Sequence, residues 1–320
     1  MNRGLTISVM ILVAALFPCG VAYPWGGATH RLVNASAVDN LPSSMTGDGS
    51  GNNYLDKKTY LYDHATDPDW QKSYDGAESD RHFCDIDAKL STFPTPFTTV
   101  PRGYAAYLSV FGISRGVIQW EGIRDHYDRL VDLMRARNWC AAYQSAAELG
   151  HYVADATCPL HSTVHYYGYS TVDSRNIGIH ERYEDMAATY IIALPTPTPA
   201  SPTYVSDRVE CGFQLIVGGN SLVAALLVAD VEAQIAAGGT TGTYSLELYD
   251  RVGEDAQAQL VLGAQRLADL WYSAWLDAGS PSFAPGEIKF NFQPLSKTIP
   301  SGGWGVAPEY TYGPFGDFGW

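Results

Sequence analysis

The sequence has few charged residues and very little basic character. Only 17% of its 320 residues are charged, and 20 Lys and Arg stand against 34 Asp and Glu, for a formal net charge of −14. A protein that holds duplex nucleic acid through its phosphates needs clustered Lys and Arg, so that class is not expected here. Hydrophobic residues still make up 46% of the chain. The chain is therefore expected to be globular rather than disordered.

Cysteine is scarce, and a long apolar run occurs only near the N-terminus. Residues 5–17 are apolar, follow a short basic start and precede small residues at 20–22. This pattern predicts a signal peptide over residues 1–22 and a secreted protein, with an uncleaved anchor as the alternative. Cleavage would remove Cys19 and leave four cysteines, Cys84, Cys140, Cys158 and Cys211. An even number of cysteines in an oxidising compartment predicts one or two disulfides. The absence of a CxxC pair disfavours a thiolate zinc site.

Strand-like alternation is nearly absent between residues 104 and 278. Apolar residues recur there at the three- and four-residue spacings of amphipathic helices, so the predicted fold class is all-α, a multi-helix bundle over residues 23–279. The Pro-rich stretch 195–202 predicts an exposed connector between two helices. Residues 280–320 predict an irregular tail with one strand at 288–292, packed on the bundle or forming a truncated β module. The predicted helices are 29–39, 55–64, 104–119, 121–137, 140–156, 180–194, 206–237 and 245–278.

Two His-carboxylate pairs carry the chemistry. His151 and Asp155 are four residues apart on a predicted helix, and His180 and Glu184 repeat that spacing, so each pair projects from one helix face. His161 lies between the pairs, just after a proline that ends the first helix. A single such pair is usually structural. Two pairs that flank a third His, in a chain with 8 His, favour a metal site instead. Imidazole and carboxylate ligands without thiolates favour a hydrolytic zinc site with a position open for water.

Together with further motifs, these pairs resemble the zinc-dependent phospholipase C and single-strand-specific zinc nuclease superfamily. The further motifs are Trp25-Gly-Gly-Ala-Thr-His30, Pro68-Asp69-Trp70 and His82-Phe83. The resemblance covers residues 25–190 as motifs and extends to 278 as a helical pattern. It implies three zinc ions.

The resemblance also assigns ligands to each ion. It implies that Asp69, His82, His151 and Asp155 hold the first ion. Asp155 would bridge to the second, which is completed by His30 and by the N-terminal amine and carbonyl of Trp25. The third would be held by His161, His180 and Glu184.

Two features depart from the family pattern. Cleavage after Ala22 leaves two residues ahead of Trp25, so the Trp25 amine is a ligand only if cleavage or trimming falls after Pro24. Asp67 and Asp63 lie near Asp69, and Asp69 is preferred for its Pro-Asp-Trp context and its spacing to His82. Asp69 is also the candidate catalytic base that orients water, with simple zinc ligation as an equal alternative.

The resemblance implies a secreted phosphodiesterase that works through a metal-bound hydroxide. Three zinc ions and three carboxylates leave the site with about +3 charge, so an acidic protein can still bind phosphate. Glu184 is typical of the phospholipase C branch, whereas the Trp25-to-His30 spacing is typical of the nucleases. Phospholipase C acting on glycerophospholipids is favoured over a single-strand nuclease of 3′-nucleotidase type. A non-catalytic secreted zinc-binding protein is the third hypothesis. Transient contact with a membrane surface is expected, and no protein partner is indicated.

Overall fold

The structure, a computed structural model, describes residues 25–46, 53–169, 171–194, 201–239 and 241–282. All regular elements in these ranges are helical, which confirms the predicted all-α fold. The predicted signal peptide, the strand at 288–292, the tail beyond 282 and most of the Pro-rich connector lie outside the described residues. The α-helices are α1 (Gly26–Asp39), α2 (Ser43–Thr46), α3 (Lys58–Asp63), α4 (Asp67–Gln71), α5 (Tyr104–Phe111), α6 (Asp125–Arg135), α7 (Trp139–Thr157), α8 (Ile179–Tyr190), α9 (Arg208–Asn220), α10 (Val223–Ala237) and α11 (Thr241–Asp277).

Two of the predicted helices are broken. The helix expected over 104–119 ends at Phe111, because Gly112 and Gly116 both have positive φ values, 79° and 80°. A 3₁₀ turn and then a π-helical segment, Ile118–Arg124, lead into α6. The helix expected over 206–237 is divided into α9 and α10 by a turn at residues 221–222. The apolar periodicity is therefore a good guide to helical content but misses interruptions that depend on backbone geometry.

Helix α7 forms the centre of the bundle. Nearly all of its 19 residues are buried, and it packs against α1, α6, α9 and α11. Small residues, among them Ala146, Gly150 and Ala154, allow these neighbours to approach closely. The long helix α11 packs along α1, α7, α8 and α10. Because α7 also carries His151 and Asp155, the candidate site is built on the buried central helix of the fold.

Gly150 marks the closest approach of α7 to α1, and a methyl group there should destabilise the protein. A Cβ at Gly150 would clash with the Asn34 amide oxygen. Asn34 cannot move easily, because its amide nitrogen donates to the carbonyls of Leu61 and Ala147 at 2.9 and 3.1 Å. Gly150→Ala is expected to lower the free energy of unfolding by about 1–3 kcal/mol, measured by urea denaturation.

Gly218 in α9 provides the matched control for that substitution. A Cβ at Gly218 meets nothing within 4 Å. Gly218→Ala should therefore raise stability by about 0.5–1 kcal/mol through helix propensity alone. Destabilisation by both substitutions, or by neither, would contradict the close packing of α7 on α1.

The predicted disulfides are not formed among the described cysteines, all of which are free thiols. The Cys84 sulfur instead lies 3.3 Å from the Tyr107 hydroxyl and 3.3 Å from the Gln119 amide nitrogen. Burial raises the pKa of Cys84 to about 12 and that of Cys211 to about 11. A buried thiol packs as a small apolar group, so an even cysteine count does not require pairing.

Candidate metal centre

The helical framework brings together side chains from separate parts of the chain. α7 supplies His151 and Asp155 from one face, and the 3₁₀ turn Pro159–Ser162 that follows supplies His161. α8 supplies His180 and Glu184, and the short α4 supplies Asp69. His30 lies on α1, and His82 directly follows the 3₁₀ helix Glu78–Arg81.

Asp155 is surrounded by four imidazoles. Its Oδ1 lies 3.3 Å from His30 Nε2 and 3.4 Å from His161 Nδ1. Its Oδ2 lies 2.8 Å from His82 Nδ1 and 3.2 Å from His151 Nε2. All five side chains are almost completely buried. One carboxylate thus joins ligand groups from four segments.

Asp69 closes one side of this cluster. Its Oδ1 lies 3.7 Å from His151 Nε2, 3.9 Å from His82 Nδ1 and 2.7 Å from the ammonium group of Lys72. Its Oδ2 is buried and makes no hydrogen bond within the described part of the chain.

The two alternative aspartates lie outside the cluster. Asp67 Oδ2 instead contacts His64 Nδ1 at 2.6 Å and accepts from the Gln144 amide at 3.0 Å. Asp63 is exposed. Of the three aspartates, Asp69 is the one that lies in the cluster, and its role as ligand or base stays a prediction.

A second group lies next to the first. His180 Nε2 is 2.8 Å from Glu184 Oε1, and His161 Nε2 is 3.1 Å from His180 Nε2 and 3.6 Å from Glu184 Oε1. The backbone nitrogen of Trp25 donates to Glu184 Oε1 at 2.5 Å. The Cys158 thiol also lies close to His161 and Glu184. All nine residues predicted as ligands therefore converge, and their role as ligands remains a prediction.

For three of the imidazoles, hydrogen bonds on the outer side of the ring determine which nitrogen faces the cluster. His151 Nδ1 lies 2.8 Å from the Ala65 carbonyl, and His161 Nδ1 lies 2.7 Å from the His82 carbonyl. A carbonyl only accepts, so both rings carry a proton on Nδ1 and present Nε2 as the lone pair. The His82 ring is reversed, because its Nε2 faces Glu78 and its Nδ1 faces Asp155.

The electrostatics favour carboxylates in their charged form. Burial alone would raise the pKa of Asp155, but the imidazoles of His161, His151 and His30 hold it well below its usual range. Burial likewise opposes ionisation of Glu184, yet His180 and His161 bring its pKa down to about 2. Burial lowers the pKa of His30. The cluster therefore combines ionised carboxylates with imidazoles that cannot all be positively charged at the same time.

This donor set fits divalent zinc. Imidazole nitrogens of His82 and His151 face each other at 3.0 Å, and those of His161 and His180 at 3.1 Å, with lone pairs that need a shared cation or proton. Asp155 Oδ1 and Asp69 Oδ2 are buried without hydrogen bonds among the described residues, which is costly unless a cation satisfies them. Imidazole and carboxylate donors in this number are the ligands that catalytic zinc prefers.

Four nearby residues were not identified from the sequence. They are Glu78, Lys72, Tyr152 and Cys158. Glu78 precedes His82 by four residues, and Lys72 follows Asp69 by three, so spacing alone offered a signal for both.

The remaining histidines lie outside the cluster. His64 contacts Asp67, His126 Nδ1 lies 3.0 Å from the Glu121 carbonyl, and His165 stacks on Tyr169. None of the three belongs to a metal-compatible group within the described ranges.

Asp85, three residues beyond His82, should make stability depend on pH. Burial raises its pKa from 3.8 to about 6, and the Arg115 guanidinium at 3.2 Å only partly opposes this. With a raised pKa in the folded state, the native protein holds its proton longer than the unfolded chain, so the group destabilises the fold increasingly as pH rises from about 4 to 6. Asp85→Asn removes this dependence. The free energy of unfolding of the variant minus that of the parent, measured with urea, should be about 1 kcal/mol larger at pH 7.5 than at pH 5. A difference that does not change with pH would contradict the prediction.

Comparison with known protein families gives a match over most of this framework. The family described as zinc dependent phospholipase C matches residues 29–216, which is more than half of the chain. The matched region includes every predicted ligand except Trp25. A search of curated proteins finds no match.

Proposed function

We propose that this chain, which belongs to the zinc-dependent phospholipase C family, is a secreted phospholipase C that cleaves glycerophospholipids into diacylglycerol and a phosphorylated head group. Family membership makes it a zinc-dependent phosphodiesterase in the broader sense. The observation that carries the proposal is the convergence of four buried imidazoles on Asp155, with Asp69 and the Glu184 group beside them. Burying this many imidazoles and carboxylates together costs desolvation free energy, which bound cations would offset.

We assign three zinc ions to this centre. Asp69, His82, His151 and Asp155 would hold one ion. Asp155, His30 and the Trp25 backbone would hold a second, and the third would be held by His161, His180 and Glu184. When bound, zinc activates water near neutral pH and stabilises negative charge on phosphate oxygens. Three ions and the carboxylates of Asp69, Asp155 and Glu184 leave the centre with about +3 charge, which attracts a phosphodiester to an otherwise acidic protein.

The chain's own residues then orient the reactants. Lys72 pairs with Asp69 Oδ1 at 2.7 Å, and Asp69 Oδ2 is buried without a hydrogen-bond partner among the described residues. Asp69 Oδ2 is therefore the atom we assign to accept a hydrogen bond from the attacking water, in addition to any role in ligation. Asp155 fixes the relative positions of the imidazoles. Burial of the whole group excludes bulk water and strengthens these interactions.

The rim of the centre supports an amphiphilic substrate. The segment between His161 and His180 exposes the side chains of Tyr166, Tyr167 and Tyr169, and the Tyr166 ring centroid lies 6.0 Å from that of His180. Exposed tyrosines beside a catalytic centre suit contact with the polar–apolar boundary of a lipid layer. We infer transient membrane contact through this rim, with a preference for zwitterionic lipid because the protein carries net charge −14.

A single-strand nuclease is the second candidate. The same exposed tyrosines could stack on unpaired bases. The net charge of −14 opposes binding of an extended polyanion, and Arg175 in this segment is tied to Asp173 at 2.6 Å. We therefore rank this reaction below lipid hydrolysis on the same centre. A non-catalytic zinc-binding protein ranks third, because structural zinc sites are closed and usually rich in thiolates.

A paired substrate assay tests the proposal. Purified secreted protein is incubated with phosphatidylcholine and, separately, with single-stranded DNA and a 3′-nucleotide. His151→Ala serves as the inactive control, and His64→Ala serves as a matched imidazole outside the cluster and outside the tyrosine rim. Release of phosphorylated head group by the parent and by His64→Ala, but not by His151→Ala, supports phospholipase C. Release of nucleotides alone would contradict it in favour of the nuclease.

Two further measurements separate the remaining hypotheses. Zinc content near zero or one ion per chain, with no hydrolysis of either substrate, would favour the binding-protein hypothesis. N-terminal sequencing of the secreted protein tests both secretion and the second ion. A start at Trp25 supports ligation by its amine, and a start at Tyr23 contradicts it.

A further inference from the structure

Glu78 contacts the metal centre from its outer side. It is fully buried, and its Oε1 lies 3.2 Å from His82 Nε2, the ring nitrogen that faces away from Asp155. It is not among the predicted ligands, and the metal-compatible groups of the described chain do not include it. The contact therefore needs another explanation.

The Glu78 carboxylate is held in place on both oxygens. Oε1 also accepts a hydrogen bond from the Tyr152 hydroxyl at 2.5 Å, and Oε2 accepts from Arg81 Nη1 at 2.5 Å. Tyr152 follows His151 directly on α7, and its ring meets the His82 ring edge-on at 5.5 Å. Arg81 is itself held by Glu121 at 3.2 Å. The carboxylate is thus fixed relative to α7, the helix that carries two of the predicted ligands.

This contact determines the tautomer of His82. Both ring nitrogens face a carboxylate, Nδ1 that of Asp155 and Nε2 that of Glu78, and an ionised carboxylate accepts and does not donate. When Nδ1 is bound to zinc, the proton of the neutral ring must be on Nε2, where Glu78 accepts it. Nδ1 then presents its lone pair at 2.8 Å from Asp155 Oδ2 and 3.0 Å from His151 Nε2. His151 and His161 are oriented by backbone carbonyls, whereas His82 lies on a short connecting segment and is oriented by a side chain.

We propose that Glu78 is a positioning residue of the metal centre, which holds His82 with the proton on Nε2 so that Nδ1 is available to zinc. The proposal rests on zinc binding at the centre but not on the identity of the substrate. A carboxylate partner also makes the ring a more basic ligand, and loss of such a partner weakens metal affinity by about 10- to 100-fold in proteins that depend on one.

Zinc affinity of metal-depleted protein, measured by competition with a chromophoric chelator, tests this role. Glu78→Gln keeps the size of the side chain and removes its charge, and its tightest zinc sites are expected to weaken by about 10- to 100-fold. Glu121→Gln is the matched control, because it removes a carboxylate from the same arginine without contacting His82. It should bind zinc as the parent does. Equal affinity of the Glu78→Gln protein and the parent would overturn the proposal.

The tautomer itself can be measured without a variant. Long-range proton–nitrogen NMR spectra of the zinc-loaded parent should show His82 protonated on Nε2 and metal-bound through Nδ1. The reverse assignment would overturn the proposal even if Glu78→Gln failed to fold. These readouts are independent of lipid hydrolysis, so they remain informative if the proposed substrate is wrong.

Discussion

Asp155→Asn is expected to abolish phosphodiester hydrolysis while leaving the helical fold intact. Asp155 carries the carboxylate that lies between His30, His82, His151 and His161, at distances of 2.8 to 3.4 Å. Asparagine has nearly the same shape but no charge, so the substitution removes the shared anionic ligand of two predicted ions without creating a cavity. Metal catalysis contributes several kcal/mol to the stabilisation of a transition state, so kcat/KM should fall by at least about 1000-fold.

The measurement pairs initial rates with zinc content and circular dichroism. The zinc content of the variant should fall together with its rate, while its helical signal stays close to that of the parent. Asp185→Asn is the matched control, because Asp185 is exposed on α8 and outside the cluster. Full activity in Asp155→Asn, or an equal loss in Asp185→Asn, would contradict the assignment of Asp155 as a central ligand.

Asp230→Ala is expected to destabilise the protein by about 3–5 kcal/mol. Asp230 is completely buried on α10, and its carboxylate lies 2.7 Å from Arg182 Nη2 and 2.6 Å from the Tyr244 hydroxyl. It also accepts from the Asn176 amide at 3.1 Å. Without the aspartate, Arg182 and these donors lose their shared acceptor at a largely buried position. This loss is costly because the donors stay shielded from water but have no partner in place of Asp230.

The consequence should extend to the metal centre. Arg182 lies on α8 and also donates to the Ile177 carbonyl at 2.7 Å and the Arg175 carbonyl at 3.0 Å. It therefore ties the turn before α8 to α10, and α8 carries His180 and Glu184. We expect Asp230→Ala to weaken zinc binding by these residues as well as to lower stability.

Urea denaturation of metal-depleted protein isolates the stability effect. Glu247→Ala, which breaks an ion pair of 2.6 Å with Arg251 on α11, is the control. That pair lies at the surface, so its loss should change stability by no more than about 0.5 kcal/mol. Similar effects of the two substitutions would show that burial of Asp230 does not strengthen its contribution.

The sequence was most informative where a single helix presents two side chains. The spacing of His151 and Asp155, and of His180 and Glu184, fixes their relative positions as soon as the segment is helical, so these pairs could be predicted without tertiary information. Asp69 and His82 lie on short elements, and their position depended on the family resemblance. The same resemblance separated Asp69 from Asp67, which the structure places beside His64.

Other features depend on tertiary contacts that no local pattern specifies. The spacing of Glu78 and His82 suggests that they are neighbours, but it does not show that the carboxylate faces His82 Nε2, because that contact depends on the Tyr152 hydroxyl that holds Glu78 Oε1. The break at Gly112 and Gly116 reflects positive φ values that the apolar periodicity of residues 104–119 conceals. The cysteines could be counted from the sequence, but their separate burial sites could not.

Anomalous diffraction at the zinc absorption edge, from crystals of the zinc-loaded protein, tests the central claim most directly. The account predicts three peaks, one within about 2.0–2.2 Å of His82 Nδ1 and His151 Nε2, and one shared through Asp155 with His30. The third should lie between His161, His180 and Glu184. Zinc bound elsewhere, or a single ion that leaves Asp155 without a metal contact, would contradict it.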